Sequence, residues 1–390
     1  MTNFLNIFAS LTSIQKYLVV AILSVILFVA SAGVSYSLFS KVGGGGAGLV
    51  TSLPGPSNSL SEDPNAPKTE ACPLDGSMHT KEARANWEQR RPLAVMIENH
   101  IEARPQSGLS SADIIYEAVA EGGITRFMAV FYCNLAEVQV GPVRSARTYF
   151  LDWLSEYNAL YAHVGGANSP GPADALGQII KYGVLDLNQF SIGFPTFWRD
   201  YQRLGHAVAT EHTMYSTTQK LWAVGAQRGW TNKDTTGKSW DANFTLWKFK
   251  DDQPDGSKPK VTVGFWQDSG DYSVEWNWDK SCDCYKQRNG AADHIDLNNK
   301  QQLSPKSVVV QFETESHAND GYENNVHLIY GTTGKGKALF FIDGKVTSGQ
   351  WIKPNRLSRT KYVDDQGNEI SFNRGQIWIQ TVPVGAKVAY

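Results

Sequence analysis

Arg104, Arg126, Arg144 and Arg147 fall close together in the chain, in a stretch that also carries Asp113, Glu117 and Glu121. Guanidinium groups grip carboxylates and phosphates with paired N–H donors, so such a group of residues is suited to holding an anion. Asp113, Glu117 and Glu121 recur every four residues, which on a helix drifts by only ~40° per step and makes one acidic stripe. That stripe is one partner available to the arginines. The other is an external phosphate or carboxylate, because Arg144 and Arg147 read as lying at the start of a helix, where unpaired N–H groups and the dipole already favour negative charge. Arg126 follows Gly122-Gly123 at the head of an apolar strand, and Arg104 precedes a proline that holds it extended, so both belong at a sheet rim.

Proton transfer has two candidates, His163 and Glu117. His163 sits near the end of the strand-like LYAHV, just before Gly165-Gly166, the strand-to-loop position where open α/β sheets place ligands. The following loop, GGANSPGP, is neither a dinucleotide fingerprint nor a P-loop, so no nucleotide cofactor is expected. The segment FPTFWRDYQRLGHAVATEHTMYST, residues 194–217, mixes aromatic and charged groups as a sugar or peptide surface, or a lid, would. It adds Arg199 and His212 to the candidate ligand-binding residues. His206 and His212 are six apart and match no metal-binding helix spacing, and Cys282-x-Cys284 lacks the second ligand pair of a structural zinc site, so no metal is assigned. Serine hydrolase chemistry is unsupported without G-x-S-x-G.

These residues need elements to position them. Ser110 and Ser111 with Asp113 have capping-box spacing and predict a helix to Glu121, stopped by Gly122-Gly123. Ile124–Cys133 then reads as a buried strand, Ser145–Tyr157 as a helix, Ala159–Val164 as a strand, and Asp174–Tyr182 and Ser216–Gln227 as helices. This alternation predicts an α/β domain with a covered mixed sheet over residues 87–230. After a polar linker, residues 231–243, the period changes to two: SVVVQFE, KALFFIDG and QIWIQTV are among the strands that make residues 244–390 mainly β. A hairpin is expected about Asp343-Gly344 and another over Tyr362–Phe372.

Residues 17–39 carry no charge and are long enough to cross a ~30 Å hydrocarbon layer as a helix, behind a short segment of residues 1–16. They read as a single-pass plasma-membrane anchor with the bulk of the chain extracytoplasmic; cleavage after Ala32 is the rival reading. Residues 40–86, rich in Gly, Pro and Ser at the start, read as a flexible spacer. Four cysteines suit an oxidising compartment, their pairing among Cys72, Cys133, Cys282 and Cys284 left open. A formal net charge of −2 excludes bulk attraction to nucleic acid.

The runs RPQSGLSSADIIYEAVAEGGITRFMAVF, GPVRSARTYFLDW and HVGG, with the late GQWIKP and GQIWIQTVP, resemble the YerB-like family of bacterial envelope proteins across about residues 90–385. The resemblance implies a membrane-attached extracytoplasmic protein with two consecutive domains of unknown biochemical function. Members are commonly lipoproteins, and this chain has no cysteine near the end of its apolar run, so the same location is expected through a different anchor. The expected function is a binding or assembly factor holding an anionic envelope polymer or an envelope protein. The alternative is an enzyme acting on an anionic glycan or lipid-linked phosphate.

Overall fold

The computed structural model describes residues 62–257, 260–266 and 270–390. The expected membrane anchor, residues 17–39, lies outside the described residues, and within them no helix is long and apolar enough to cross a membrane.

The framework starts from a hairpin. Strand β2 (Ile114–Glu121) turns through Gly122 and Gly123, at φ 57° and 77°, into β3 (Ile124–Phe131). A two-residue turn with both φ positive matches the natural twist of paired strands, and Gly-Gly reaches it without a Cβ clash. β1 (Leu93–Glu98) pairs antiparallel with β3 and parallel with β4 (Leu160–His163), which continues to β5 (Leu185–Asn188). From the C-terminal half come β6 (Ser307–Glu313), β7 (Gly334–Ile342), β8 (Lys345–Lys353), β9 (Lys361–Asp364) and β10 (Ile377–Pro383). Among the described residues these ten strands form one mixed sheet in the order β9-β8-β7-β6-β10-β2-β3-β1-β4-β5. The family of strands from each half meets at β10, which runs parallel to both β6 and β2. A sequence boundary near residue 240 therefore divides the chain without dividing the sheet.

The sheet is covered. Every residue of β1 is buried, as are all but the terminal Glu121 of β2. Helix α1 (Lys81–Trp87), α2 (Thr148–Leu154), α3 (Ala175–Tyr182), the short α4 (Gln189–Ile192) and α5 (Thr218–Gln227) all precede residue 230. α2 buries Tyr149, Phe150 and Trp153, the last stacked on Tyr116 of β2 with ring centres 5.4 Å apart. A second, antiparallel sheet joins Ala292–Asp293, Cys284–Asn289, Val274–Asp279, Lys260–Val263 and Val388–Ala389 in that order. Trp276 of that sheet packs edge-on against Trp378 of β10, so the two sheets share one apolar interior.

Four expectations change. The helix expected over residues 110–121 is a 3₁₀ turn, Leu109–Ser111, followed by β2. Ile114, Ile115 and Val119 are β-branched, and Asp113 turns its carboxylate to the backbone N–H groups of Tyr132 (2.5 Å) and Cys133 (3.2 Å) rather than to a helix start. The helix expected over Ser145–Tyr157 is confined to Thr148–Leu154, since the Ala146 N–H bonds to the Gly165 carbonyl instead. Finally, residues 62–86, expected as the end of a spacer, are folded. Glu70–Ala71 pairs with Met78–His79, Thr80 caps α1, and a Cys72–Cys133 disulfide fastens the segment to the end of β3. The other two cysteines pair as Cys282–Cys284. The expected linker 231–243 also packs down, with Trp240 buried and its indole donating to the Tyr132 hydroxyl (3.1 Å). The hairpin about Asp343-Gly344 forms as expected, Ile342 facing Lys345.

Candidate functional site

Three of the four arginines converge, by routes the sheet dictates. Arg126, the third residue of β3, lies directly opposite Glu98, the last residue of β1. The segment carrying Arg144 and Arg147 is sewn between strands: the Arg144 N–H donates to the Met96 carbonyl (2.9 Å), Val164 N–H to the Arg144 carbonyl (3.0 Å) and Ala146 N–H to Gly165 (2.9 Å). Arg147 then occupies the residue before α2, in extended conformation.

Arg147 and Arg126 share Glu121, and Arg144 meets Glu98. Arg147 lies against Glu121 through Nε and Nη2 and donates Nη1 to the Ala146 carbonyl (2.6 Å). Arg126 reaches the other Glu121 oxygen (3.3 Å) and the Ser145 carbonyl (2.8 Å). Burial works to raise the Glu121 carboxyl, but the Arg126 and Arg147 charges outweigh it and hold the group below its ordinary value. Arg144 places Nε 3.0 Å from Glu98 Oε1, with a quarter of its side chain exposed. Among the described residues its two terminal nitrogens have no hydrogen-bond partner. Burial, aided by neighbouring Arg126, lowers Arg144 from its ordinary value against the pull of Glu98, though a guanidinium stays charged. Three cations are thus directly held by two carboxylates.

The acidic stripe does not exist as one surface. Of its members, only Glu121 meets the arginines. Glu117 is fully buried and accepts from Thr125 Oγ1 (2.8 Å), Trp378 Nε1 (3.0 Å) and Gln380 Nε2 (3.0 Å), and burial raises its pKa. Asp113 sits beside the Cys72–Cys133 disulfide, its carboxyl raised well above the usual range by burial and by Asp75. Arg104 points away, bonding Asn99 (Oδ1, 3.0 Å) and the Asp271 carbonyl (2.8 Å) with its guanidinium over Tyr272.

His163 is fully buried and held at both nitrogens, by the Gly165 carbonyl (2.7 Å) and Asp186 (2.7 Å). Arg199 pairs its strand with Met214 and bonds Thr213 Oγ1 (3.3 Å) on an exposed edge. His212, from the same segment, reaches back to the arginine region: its Nδ1 is 2.8 Å from Glu98 Oε2, so Glu98 links His212 to Arg144.

A polar seam between the two halves went unread in the sequence. Asn99 Oδ1 accepts from Arg104, from Gln106 (3.0 Å) and from Asn289 (2.9 Å). His294 bridges Gln106 Oε1 (2.7 Å) and Gln287 Oε1 (2.6 Å), and burial with the nearby Arg104 charge lowers its pKa to about 3. Asp296 accepts from the backbone N–H groups of Gly108 (3.0 Å) and Ser110 (2.8 Å). Gly108, at φ 97° with no room for a Cβ against the Gln139 carbonyl, is required by that turn. Asp293-His294-Ile295-Asp296 resembles ordinary turn chemistry in one dimension; its partners are nearly two hundred positions away.

Fold and seam together define a protein of two sequence regions that close one sheet between them. Residues 78–231 match the family described as "Protein of unknown function (DUF3048) N-terminal domain" and residues 261–379 its "C-terminal domain", and the chain belongs to this family. It is 31% identical over 297 residues to "Putative lipoprotein YerB" of Bacillus subtilis (strain 168), covering 76% of this chain and 82% of that relative. The crystal structure of the YerB protein from Bacillus subtilis is similar with a TM-score of 0.67 at 26% identity, over 82% of this chain and 100% of that one.

Proposed function

We propose that the protein is a membrane-attached, extracytoplasmic binding or assembly factor of the cell envelope, and that Arg144 receives an anionic group from an envelope polymer or a partner protein. The carrying observation is the guanidinium of Arg144, whose Nε lies 3.0 Å from Glu98 and whose two terminal nitrogens have no hydrogen-bond partner among the described residues, beside Arg126 and Arg147. A planar fork presented in this way fits phosphate or carboxylate. The location is supported by the lipoprotein named among its relatives, by the uncharged run of residues 17–39 and by two disulfides. A catalytic reading draws little support from His163 and Glu117, because both are fully buried with their polar atoms already engaged.

The test uses the full-length chain in mild detergent, wild type and Arg144→Ala, titrated with a phosphorylated glycan and with polyglutamate. Saturable, salt-sensitive binding that falls at least about tenfold in the folded variant supports the reading. Equal binding by both removes the site, and turnover of the glycan replaces the binding reading with the enzymatic one.

A further inference from the structure

We infer that His100, Glu102 and His212 form a binding site for one divalent metal ion of the zinc class, with Glu98 orienting His212 and water completing the coordination. The site goes beyond the anion reading and does not depend on Arg144. The candidate ligand atoms of the three side chains lie within 4.8 Å of one another. Two come from the turn after β1 and the third from the 194–217 segment, more than a hundred residues later, so no spacing motif announces them.

Geometry argues for a metal in three steps. First, His212 is buried and its Nδ1 meets Glu98 Oε2 at 2.8 Å, which fixes the ring and leaves Nε2 as the outward donor. A carboxylate on the far nitrogen is the usual companion of a metal-binding imidazole, because it sets the tautomer and strengthens the donor. Second, His212 Nε2 and Glu102 Oε2 are 3.5 Å apart. Ligand bonds of about 2.0–2.2 Å in tetrahedral arrangement put neighbouring donors ~3.3–3.5 Å apart, so this pair already stands at the separation a metal needs. Third, His100 stacks on His212 with centroids 4.7 Å apart and planes within 10°. Among the described residues, its hydrogen bonding is a long contact from the Glu102 N–H to Nδ1, at 3.3 Å, which a ligand-forming rotation gives up cheaply.

Without a metal, the same atoms leave His212 between Glu98 and Glu102. That arrangement engages one imidazole with carboxylates and leaves the second, parallel to it, stacked and accepting from the Glu102 N–H. A metal uses both. Glu102 has half its side chain exposed, which provides an entry path and an open coordination position.

The experiment takes the full-length protein in mild detergent, both disulfides intact so that no thiol competes, stripped with chelator and titrated with Zn²⁺ by calorimetry and with Co²⁺ by absorption. Wild type is expected to bind one ion per chain. His100→Gln and Glu102→Gln alter solvent-side groups, should keep the wild-type circular dichroism, and should each weaken Zn²⁺ binding by about tenfold or more. Glu98→Gln should weaken it too, through His212. Absence of saturable one-to-one binding in wild type overturns the proposal, and so does a smaller loss in either His100→Gln or Glu102→Gln. Anion binding in the Arg144→Ala comparison is read separately, so failure of one site leaves the other standing.

Discussion

Lys353 of β8 places its ammonium 2.8 Å from Glu156 Oε1, with both side chains removed from water. The two residues belong to the C-terminal and N-terminal family regions respectively. Arg359 takes the second Glu156 oxygen (3.0 Å) and lies over Trp247, while Thr360 donates to the first (2.5 Å). An isolated buried charge is far costlier than a paired one, so this knot binds the halves together only while complete.

Lys353→Ala should accordingly lower stability by about 2–4 kcal/mol, because Glu156 Oε1 loses its cation and keeps the Thr360 hydroxyl while Arg359 still holds the other oxygen. Burial works to raise Glu156, but Lys353 and Arg359 outweigh it and depress the group below its ordinary value. A depressed carboxyl contributes stability that is complete above the unfolded pKa of about 4.3 and disappears as pH falls through the folded value. Urea titrations over that acid range should show a steeper loss in wild type than in Glu156→Gln; parallel curves would contradict the assignment.

Glu117 has the opposite sign. Burial raises its pKa, so its cost to the fold is absent at low pH and grows as pH rises from about 4.3 through the folded value. Glu117→Gln should therefore gain on wild type as pH increases from about 4 to about 7. Glu117→Ala, which strands the donors of Thr125, Trp378 and Gln380, should cost about 3 kcal/mol or more. Chemical denaturation of all three proteins decides between a structural and a ligand-facing carboxylate.

The arginines should separate by position. Arg147→Ala removes one of two cations from partly buried Glu121 and should cost about 1–2 kcal/mol after allowing for solvent screening. Arg144→Ala leaves Glu98 still paired with His212 and should cost under about 1 kcal/mol. Thermal melts that rank the two in reverse would mean that Arg144 is a structural residue.

The disulfides should differ by loop length. Cys72–Cys133 spans 61 positions, and closing that loop restricts the unfolded chain by about 4 kcal/mol, against about 1 kcal/mol for the two-position Cys282–Cys284 loop. Paired Cys→Ser variants, compared by denaturation under oxidising conditions, should show that ratio.

How much of this could be read from the chain depends on the range of the interactions concerned. SVVVQFE was legible as a strand and forms Ser307–Glu313 without adjustment, because β-branched residues and flanking turns act locally. Residues 110–121 were misread because Asp113, Glu117 and Glu121 have even spacing, which satisfies a helix face and a strand face alike. Gly122-Gly123 was the better signal, being a two-residue hairpin turn as much as a helix stop. Of the candidate site, the meeting of Arg126 and Arg147 at Glu121 was legible in kind, while Glu98 was not, since its role follows from strand register. The seam at His294 has no local signature at all.

β10 has a consequence for how the molecule comes into being. A chain is made from its N-terminus, and every other strand of the large sheet precedes Ile377–Pro383. Until those residues arrive, β2 and β6 each present a bare row of peptide groups, and the nascent protein is two unfinished sheets awaiting a common keystone. Both edges need shielding until Ile377–Pro383 has been made, and any truncation ahead of residue 377 should yield an aggregating product rather than a smaller folded one.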